Sequence, residues 1–311
     1  MSRAEITIIM ASKNGTDTLP PVFGALAECT LPDCNVEYVL VDNNSDDETH
    51  ELMLAFAKER DAQVLIEHKP GKSFALNAAI ETASGGLLVF IDDDALPAAN
   101  WLVAYHTAYQ EQQNHGVFIG QVRPKFLAPA PQWLQQLSDI GRSFACTPIA
   151  QEAGPCSPRL AKGLNWAIRR SALGADRFDV DGTNLLEGRK PVGGQDTEMA
   201  RRLARKGVGV QFVPDAIALH QVQPHEMTPK SIFERYRRIG RGTAAQRTHS
   251  PLITFTLPVV LPTIALLGAV GWICGAKRFA GMCLTRFASN FGRGEYFLEE
   301  WFSKLRPNSI P

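Results

Sequence analysis

Short, almost unbroken apolar runs alternate with longer amphipathic ones through the first half of the chain. The runs are EITIIMA (Glu5–Ala11), VEYVLVD (Val36–Asp42), AQVLIE (Ala62–Glu67) and GLLVFID (Gly86–Asp92). Runs of this length, rich in β-branched residues and closed by polar breakers, predict strands covered on both faces. Helical patterns fall between them. In SDDETHELMLAFAKER, Ser45 stands three residues before Glu48, the spacing of a capping box. GKSFALNAAIETA predicts a second helix, with Phe74, Ala75, Ala78 and Ala79 on one side. The alternation predicts a doubly wound α/β sheet. Such sheets bind ligands beyond the carboxyl ends of their strands. The segments at those ends, 12–15, 42–45, 68–72 and 92–95, are all polar and are expected to meet at one crevice.

From about Gly116 to Pro158 prolines and breakers predict irregular structure around a second substrate. GGQDTEMARRLARKG then has an acidic first turn, Met199 and Leu203 one turn apart, a basic last turn and Gly207 as its stop, which predicts a helix. Val208–Ala216 predicts a further strand. Beyond it the pattern changes. Arg235, Arg237, Arg238, Arg241 and Arg247 crowd one segment, and Pro251 to Ala276 holds no charge at all.

Composition narrows the function classes. Among 311 residues, 45% are hydrophobic and 21% charged, and the 32 Lys and Arg balance the 32 Asp and Glu. That balance argues against wholesale electrostatic binding of nucleic acid. The six cysteines form no Cys-x-x-Cys pair and no zinc-spaced cluster, so reduced thiols are expected. The chain starts directly in a strand pattern without a signal-peptide pattern, which places its bulk in the cytoplasm as an expectation.

The candidate chemistry lies in VFIDDDALP. Asp92, Asp93 and Asp94 follow a buried strand, where like charges repel. A divalent cation with hard oxygen ligands, Mg2+ or Mn2+, reverses that repulsion and bridges carboxylates to phosphate. The alternative is a solvated turn whose acids cap the next helix. An EF-hand is excluded by the missing glycine and terminal glutamate.

ITIIMASKN, VDNNSDDET, GKSFALNAAI, FIDDDALPAANWL, KGLNWAIRRSAL, GGQDTEMARRLARKG and VPDAIALHQV follow one another over about 220 residues. In that order they resemble the family 2 glycosyltransferases, which have the GT-A fold. The resemblance implies a mixed, mainly parallel sheet with helices on both faces. It implies metal-dependent, inverting transfer of a sugar from a nucleotide diphosphate-sugar to a hydroxyl of a saccharide or lipid-linked acceptor. By that likeness Asp94 holds the metal with Asp92, and His220 completes the site or is a structural histidine. Ala11, Ser12 and Asn14 pass the nucleoside, and Asp42 and Asn43 contact base and ribose. Many relatives have two aspartates where this chain has Asp42-Asn43. Asp93 belongs to the donor side or is structural. Lys72 approaches the diphosphate at a helix N-terminus, which favours anions, or is a solvated lysine.

Inversion in one displacement needs a general base beside the acceptor hydroxyl. Asp196 maps onto that base, and its place in a helix first turn after two glycines agrees. Gln195 replaces the usual glutamate, and Glu198 supports the site or is a surface acid. Asn165 and Trp166 resemble the segment lining the acceptor side, where Trp166 is a sugar platform or a core tryptophan. Arg237, Arg238 and Arg241 are read as binding a diphosphate or anionic headgroups.

Leu252 to Ala276 is long enough for a membrane span, but Pro258, Pro262, Gly268, Gly271 and Gly275 interrupt it and basic residues flank both ends. A re-entrant or interfacial insertion keeps both flanks cytoplasmic; the alternatives are a true span and a buried core or dimer contact. Phe279, Cys283, Phe287 and Phe291 recur every four residues, as in an interfacial helix. The expected organisation is a catalytic region over 1–250, with a nucleotide-sugar half 1–125 and an acceptor half 126–250, and a membrane-associated region over 251–311. The expected place is the cytoplasmic face of the plasma membrane, peripheral or monotopic. The alternatives are a sugar nucleotidyltransferase and a catalytically silent sugar-nucleotide binder.

Overall fold

The computed structural model describes residues 4–180, 194–245 and 252–305, with the backbone alone described at 252–259 and 300–305. The described residues fall into two compact units. One lies within Met1–Leu127, Ser138–Asn184 and Gln195–Val222, the other within Ala128–Leu137, Leu185–Gly194 and Gln223–Pro311.

The first unit is built on a mixed sheet. Strands β1 (Ile6–Ser12), β2 (Val36–Asp42), β3 (Gln63–Ile66) and β4 (Leu87–Ile91) are parallel in the order β3-β2-β1-β4. All of β1 and β4 is buried, as the unbroken apolar runs predict. Alternate residues feed opposite faces. Ile8 and Met10 pack with Leu19, Phe23 and Trp101 on one side, while Ile9 packs with Val39, Leu76 and Ile80 on the other. Helices α1 (Leu19–Glu28), α2 (Thr49–Arg60) and α3 (Lys72–Thr82) connect these strands. Pro20 and Pro21 open α1, where absent N–H donors cost nothing. The capping box expected at Ser45 and Glu48 does not form. Asp47 instead accepts the Thr49 backbone N–H (3.1 Å), and α2 starts at Thr49. On α3 the buried side is Ser73, Ala75, Leu76, Ala79 and Ile80, rotated from the predicted one because Phe74 and Ala78 are only half-buried.

The sheet continues through β5 (Ala95–Pro97), β6 (His115–Phe126), β8 (Asn165–Arg169) and β9 (Gly209–Val222), in the order β4-β8-β6-β9-β5, with the short β7 (Gly154–Pro155) beside β9. Helix α4 (Trp101–Glu111) precedes β6. The predicted irregular stretch after Gly116 is therefore largely wrong at its start. β6 is a twelve-residue strand whose first part lies between β8 and β9. Its far end, Arg123 to Phe126, alternates exposed and half-buried residues and hides the strand signal. Helices α5 (Gln132–Asp139), α6 (Arg170–Leu173) and α7 (Gln195–Arg205) complete the elements up to β9, and Gly207 (φ +87°) stops α7 as expected.

The second unit carries α8 (Pro229–Ala245), α9 (Leu252–Ile273) and α10 (Lys277–Leu305), together with α5 as far as Leu137. Its boundary lies before α8 rather than at residue 250, because α8 packs along α10. A Cβ on Gly240 would sit 2.0 Å from Ser289 O, and one on Gly292 would sit 2.0 Å from Arg237 O. The two backbones touch at reciprocal glycines, which only a missing side chain allows. Arg237 forks onto Glu295 (2.5 Å) and also meets Glu234 (2.8 Å), and Arg241 meets Glu299 (2.6 Å). These pairs correct the reading of Arg237 and Arg241 as ligand-binding cations: they tie α8 to α10. Arg238 is exposed, and Arg247 lies outside the described residues. The four-residue stripe of α10 is corrected in part. Cys283 is buried, and Phe287 and Phe291 lie near Phe233 of α8, with centroids at 6.1 and 5.9 Å, while Phe279 and Phe291 both remain exposed.

Candidate active site

Parallel pairing brings the carboxyl ends of the strands to one edge. Ser12 is in register with Asp42, and Asp42 with Ile66. Two antiparallel pairings add later segments to the same edge. Ile91 opposite Asn165 brings in the start of β8, and Ala95 opposite His220 places β9 beside the acidic loop.

The three consecutive aspartates find three different partners. Asp92 pairs with the ammonium of Lys72 at the first turn of α3. Asp93 accepts the Ser12 hydroxyl, and burial together with Asp94 pushes its carboxyl up to about 7. Asp94 faces His220, with Oδ2 3.0 Å from Nε2. One charge is neutralised by a cation, one titrates near neutrality, and one is left to an imidazole. The repulsion between neighbours is thereby relieved without an added ion at Asp92 or Asp93.

The Asp94–His220 contact does need something between its atoms. His220 Nδ1 lies 2.6 Å from the carbonyl oxygen of Phe144, so it donates there. In the neutral ring that leaves a lone pair on Nε2, facing a carboxylate oxygen. Two lone pairs at 3.0 Å repel unless a proton or a metal cation lies between them. A carboxylate oxygen and an imidazole held by a carbonyl suit Mn2+ or Mg2+, with Asp92 as the next oxygen donor along the loop. The Phe144 carbonyl is held in place by strained backbone, since Phe144 (φ +46°) and Ala145 (φ +55°) are both left-handed.

Asp196, in the first turn of α7, is 7% exposed. Its Oδ1 is buried without a hydrogen-bond partner among the described residues. Burial pushes the carboxyl up to about 6, against the pull of the Lys72 ammonium. Burial also draws Lys72 down, but Asp92 and Asp196 outweigh it and hold the ammonium above its ordinary range. Lys72 thus stands between two carboxylates from opposite halves of the sequence. Asp196 also accepts a hydrogen bond from the Gly163 backbone. A Cβ on Gly163 would lie 2.7–2.9 Å from the Asp196 carboxylate. Gly163→Ala is therefore expected to displace that carboxylate and lower kcat by up to about a hundredfold. Donor affinity should be unchanged, as calorimetry can check; an unchanged kcat would show that the contact is not needed. Gly163 lies inside the KGLNWAIRRSAL motif, but only the spatial approach of the β8 entry to α7 identifies its role. Gly193, the first of the two predicted glycines, lies outside the described residues.

Several predicted residues have other roles. Asn165 is 1% exposed, and its side chain is fully used within the fold. Trp101 Nε1 and the Tyr105 hydroxyl donate to its Oδ1 at 2.8 and 2.7 Å, while its Nδ2 donates to Gln121 O and Ala216 O at 2.9 and 2.7 Å. Trp166 is fully buried against Phe90 (centroids 5.2 Å) and Phe178, so it is core and not an acceptor platform. Asn43 is corrected similarly. It donates to Glu67 O and Lys69 O and accepts from Gly71 N–H, all within 2.9 Å, so its amide shapes the β3–α3 loop. Asp42 is buried and accepts the Ser45 N–H at 2.9 Å. Ala11 is buried at the end of β1, and exposed Asn14 (φ +56°) ties its loop to the next by accepting Asp46 N–H at 3.1 Å. Glu198 is half-buried and pairs with Arg202 one turn on, at 3.4 Å.

The chain matches the model of the Glycosyl transferase family 2 over residues 7–175. It is 26% identical over 240 residues to Glycosyltransferase AglE of Haloferax volcanii, covering 76% of this chain and 72% of that protein. It is 31% identical over 97 residues to the Escherichia coli UDP-Glc:alpha-D-GlcNAc-diphosphoundecaprenol beta-1,3-glucosyltransferase WfgD, covering 31% of this chain and 38% of that protein. The mannosyltransferase PcManGT of Pyrobaculum calidifontis, solved with GDP-Man and Mn2+, has a similar fold. Its TM-score is 0.63 at 19% identity, over 98% of this chain and 89% of that one.

Proposed function

Because the chain belongs to glycosyl transferase family 2, we propose that it moves a sugar, with inversion, from a nucleotide diphosphate-sugar to a hydroxyl of a lipid-linked saccharide. The observation that carries this reading is Asp196. A buried carboxylate with one unpartnered oxygen, beside Lys72 and Asp92, suits a general base that must take a proton from an acceptor hydroxyl near neutral pH. Lys72, at the N-terminus of α3, supplies positive charge for a diphosphate. Asp94, His220 and Asp92 would hold Mn2+ or Mg2+. When bound, that cation offsets the charge of the diphosphate leaving group as a Lewis acid.

A lipid-linked acceptor is suggested by the relative that acts on a diphosphoundecaprenol-linked sugar. It also agrees with the surface of α9. Leu266, Leu267, Val270 and Ile273 are exposed, Ile273 at 83%. Among the described residues no helix is long and apolar enough to cross a membrane. An exposed apolar helix followed by Lys277 and Arg278 supports peripheral or monotopic attachment at the cytoplasmic face.

Donor binding and transfer separate the roles. Asp94→Asn is expected to abolish the Mn2+- or Mg2+-dependent part of nucleotide-sugar binding in a calorimetric screen. Asp196→Asn should bind the donor normally and release no nucleoside diphosphate. Equal donor affinity of Asp94→Asn and wild type would defeat the metal assignment, and release of inorganic diphosphate would point to nucleotidyl transfer instead.

A further inference from the structure

We propose that the helical unit holds the hydrocarbon chain of a phosphorylated isoprenoid lipid in a pocket of its own. The pocket lies between α5, α8, α9 and α10, and its walls include Trp133, Ile264, Gly268, Trp272, Cys283 and Phe287. Its volume is about 320 Å3, at the lower end of the range of about 300–1,000 Å3 for small-molecule sites. No lining residue carries a charge, a carboxamide or a hydroxyl. Such a wall offers nothing to a sugar or nucleotide, and because the groove is open to solvent its walls lack apolar contacts on that side. An aliphatic chain restores them.

The rim specifies the head of that lipid. Lys277 Nζ lies 5.8 Å from the ring centroid of Trp272, one wall of the pocket. Arg286 is exposed on α10, one turn beyond the lining residue Cys283. Lys277 thus sets a cation at one end of an uncharged interior, which complements an amphiphile with an anionic head, whereas Arg286 stands about 13 Å further along the helix. Trp133 and Trp272 meet edge to face, with centroids 6.3 Å apart, and close one wall with rigid rings. The size fits one chain rather than the paired chains of a bilayer phospholipid. The choice of an isoprenoid phosphate over another anionic amphiphile rests on the lipid-linked acceptor reading above.

Cys283 provides a probe inside the pocket. The full chain is alkylated with a maleimide, with or without geranylgeranyl phosphate below its micellar concentration, and labelling is read at each cysteine by peptide mass. At a ligand concentration about ten times Kd, occupancy should slow labelling of Cys283 about tenfold. Exposed Cys274 should label at an unchanged rate. Geranylgeraniol should protect less, because it has no anion for Lys277. Ala269→Phe, which fills the pocket from α9, should abolish protection, whereas Leu267→Phe, exposed on the same helix, should not. Helical circular dichroism checks that both variants are folded. Absent protection, protection retained in Ala269→Phe, or equal protection by phosphatidylglycerol vesicles would each overturn the assignment. Because binding is read without donor or transfer, protection of Cys283 alongside failed transfer to a lipid-linked saccharide would sink the acceptor reading alone. Transfer without protection would sink the pocket alone.

Discussion

Asp196→Asn is expected to give a protein that melts later than the wild type at pH 7 and transfers no sugar. The folded carboxyl titrates at about 6, against an ordinary value of 3.8. The folded state therefore holds this proton more tightly than the unfolded chain does. The stability that follows is present at acid pH and is lost as pH rises from about 4 through about 6. At pH 7 the ionised, desolvated carboxylate destabilises the fold by up to about 3 kcal/mol. A neutral amide of the same shape avoids that charge, and a rise in Tm of about 5 °C is expected. Scanning fluorimetry in chelator at pH 7 and pH 4.5 tests the account. The gain should be large at pH 7 and nearly vanish at pH 4.5, where the wild-type carboxyl is also protonated. A variant less stable than wild type at pH 7 would refute it. Loss of a general base removes about 10²–10⁴-fold in rate. Wild-type transfer should likewise decline as pH falls below about 6.

Asn165→Ala is expected to be the most destabilising single change in the sheet unit. Four buried groups lose their partner at once: the Trp101 indole N–H, the Tyr105 hydroxyl, and the carbonyls of Gln121 and Ala216. Each orphaned group costs about 1–3 kcal/mol, so a total of about 4 kcal/mol or more is expected. Urea denaturation measures this directly, and a loss below about 1 kcal/mol would mean that the network relaxes around the vacancy. Asn165→Asp is a sharper control. It keeps an acceptor for Trp101 and Tyr105 but turns a carboxylate toward two carbonyl oxygens. Its defect should ease on acidification, whereas that of Asn165→Ala should not.

The parts of this molecule that were legible in the sequence are those written locally. Strands β1, β2 and β4 are nearly unbroken apolar runs, and α7 carries its own start and stop signals. The polar loops could be assigned to one edge because parallel strands must end together. What could not be read is who meets whom across that edge. Ser12 lies 81 positions from Asp93, and His220 lies 126 positions from Asp94. The parallel register of β1 with β4 decides the first contact and the antiparallel pairing of β5 with β9 the second, and pairing register is not written in composition. The same limit explains Asn165 and Trp166, which the family resemblance set on the acceptor side. Burial converts one into a four-way hydrogen-bond junction and the other into core. Arg237 and Arg241 looked like a binding patch for the same reason, since the glutamates that take them are 58 residues away.

Asn43 has a bearing on attempts to transplant specificity. Its amide is a template on which the backbone from Glu67 to Gly71 is laid, with donors matched to two carbonyls and an acceptor matched to one N–H. Replacing it with aspartate would set a carboxylate against those carbonyls and unfasten the loop that leads into Lys72. Residue 43 and segment 67–72 therefore form one heritable cassette. They must drift, or be grafted, together, and a chimaera that exchanges one without the other inherits the contacts of neither parent.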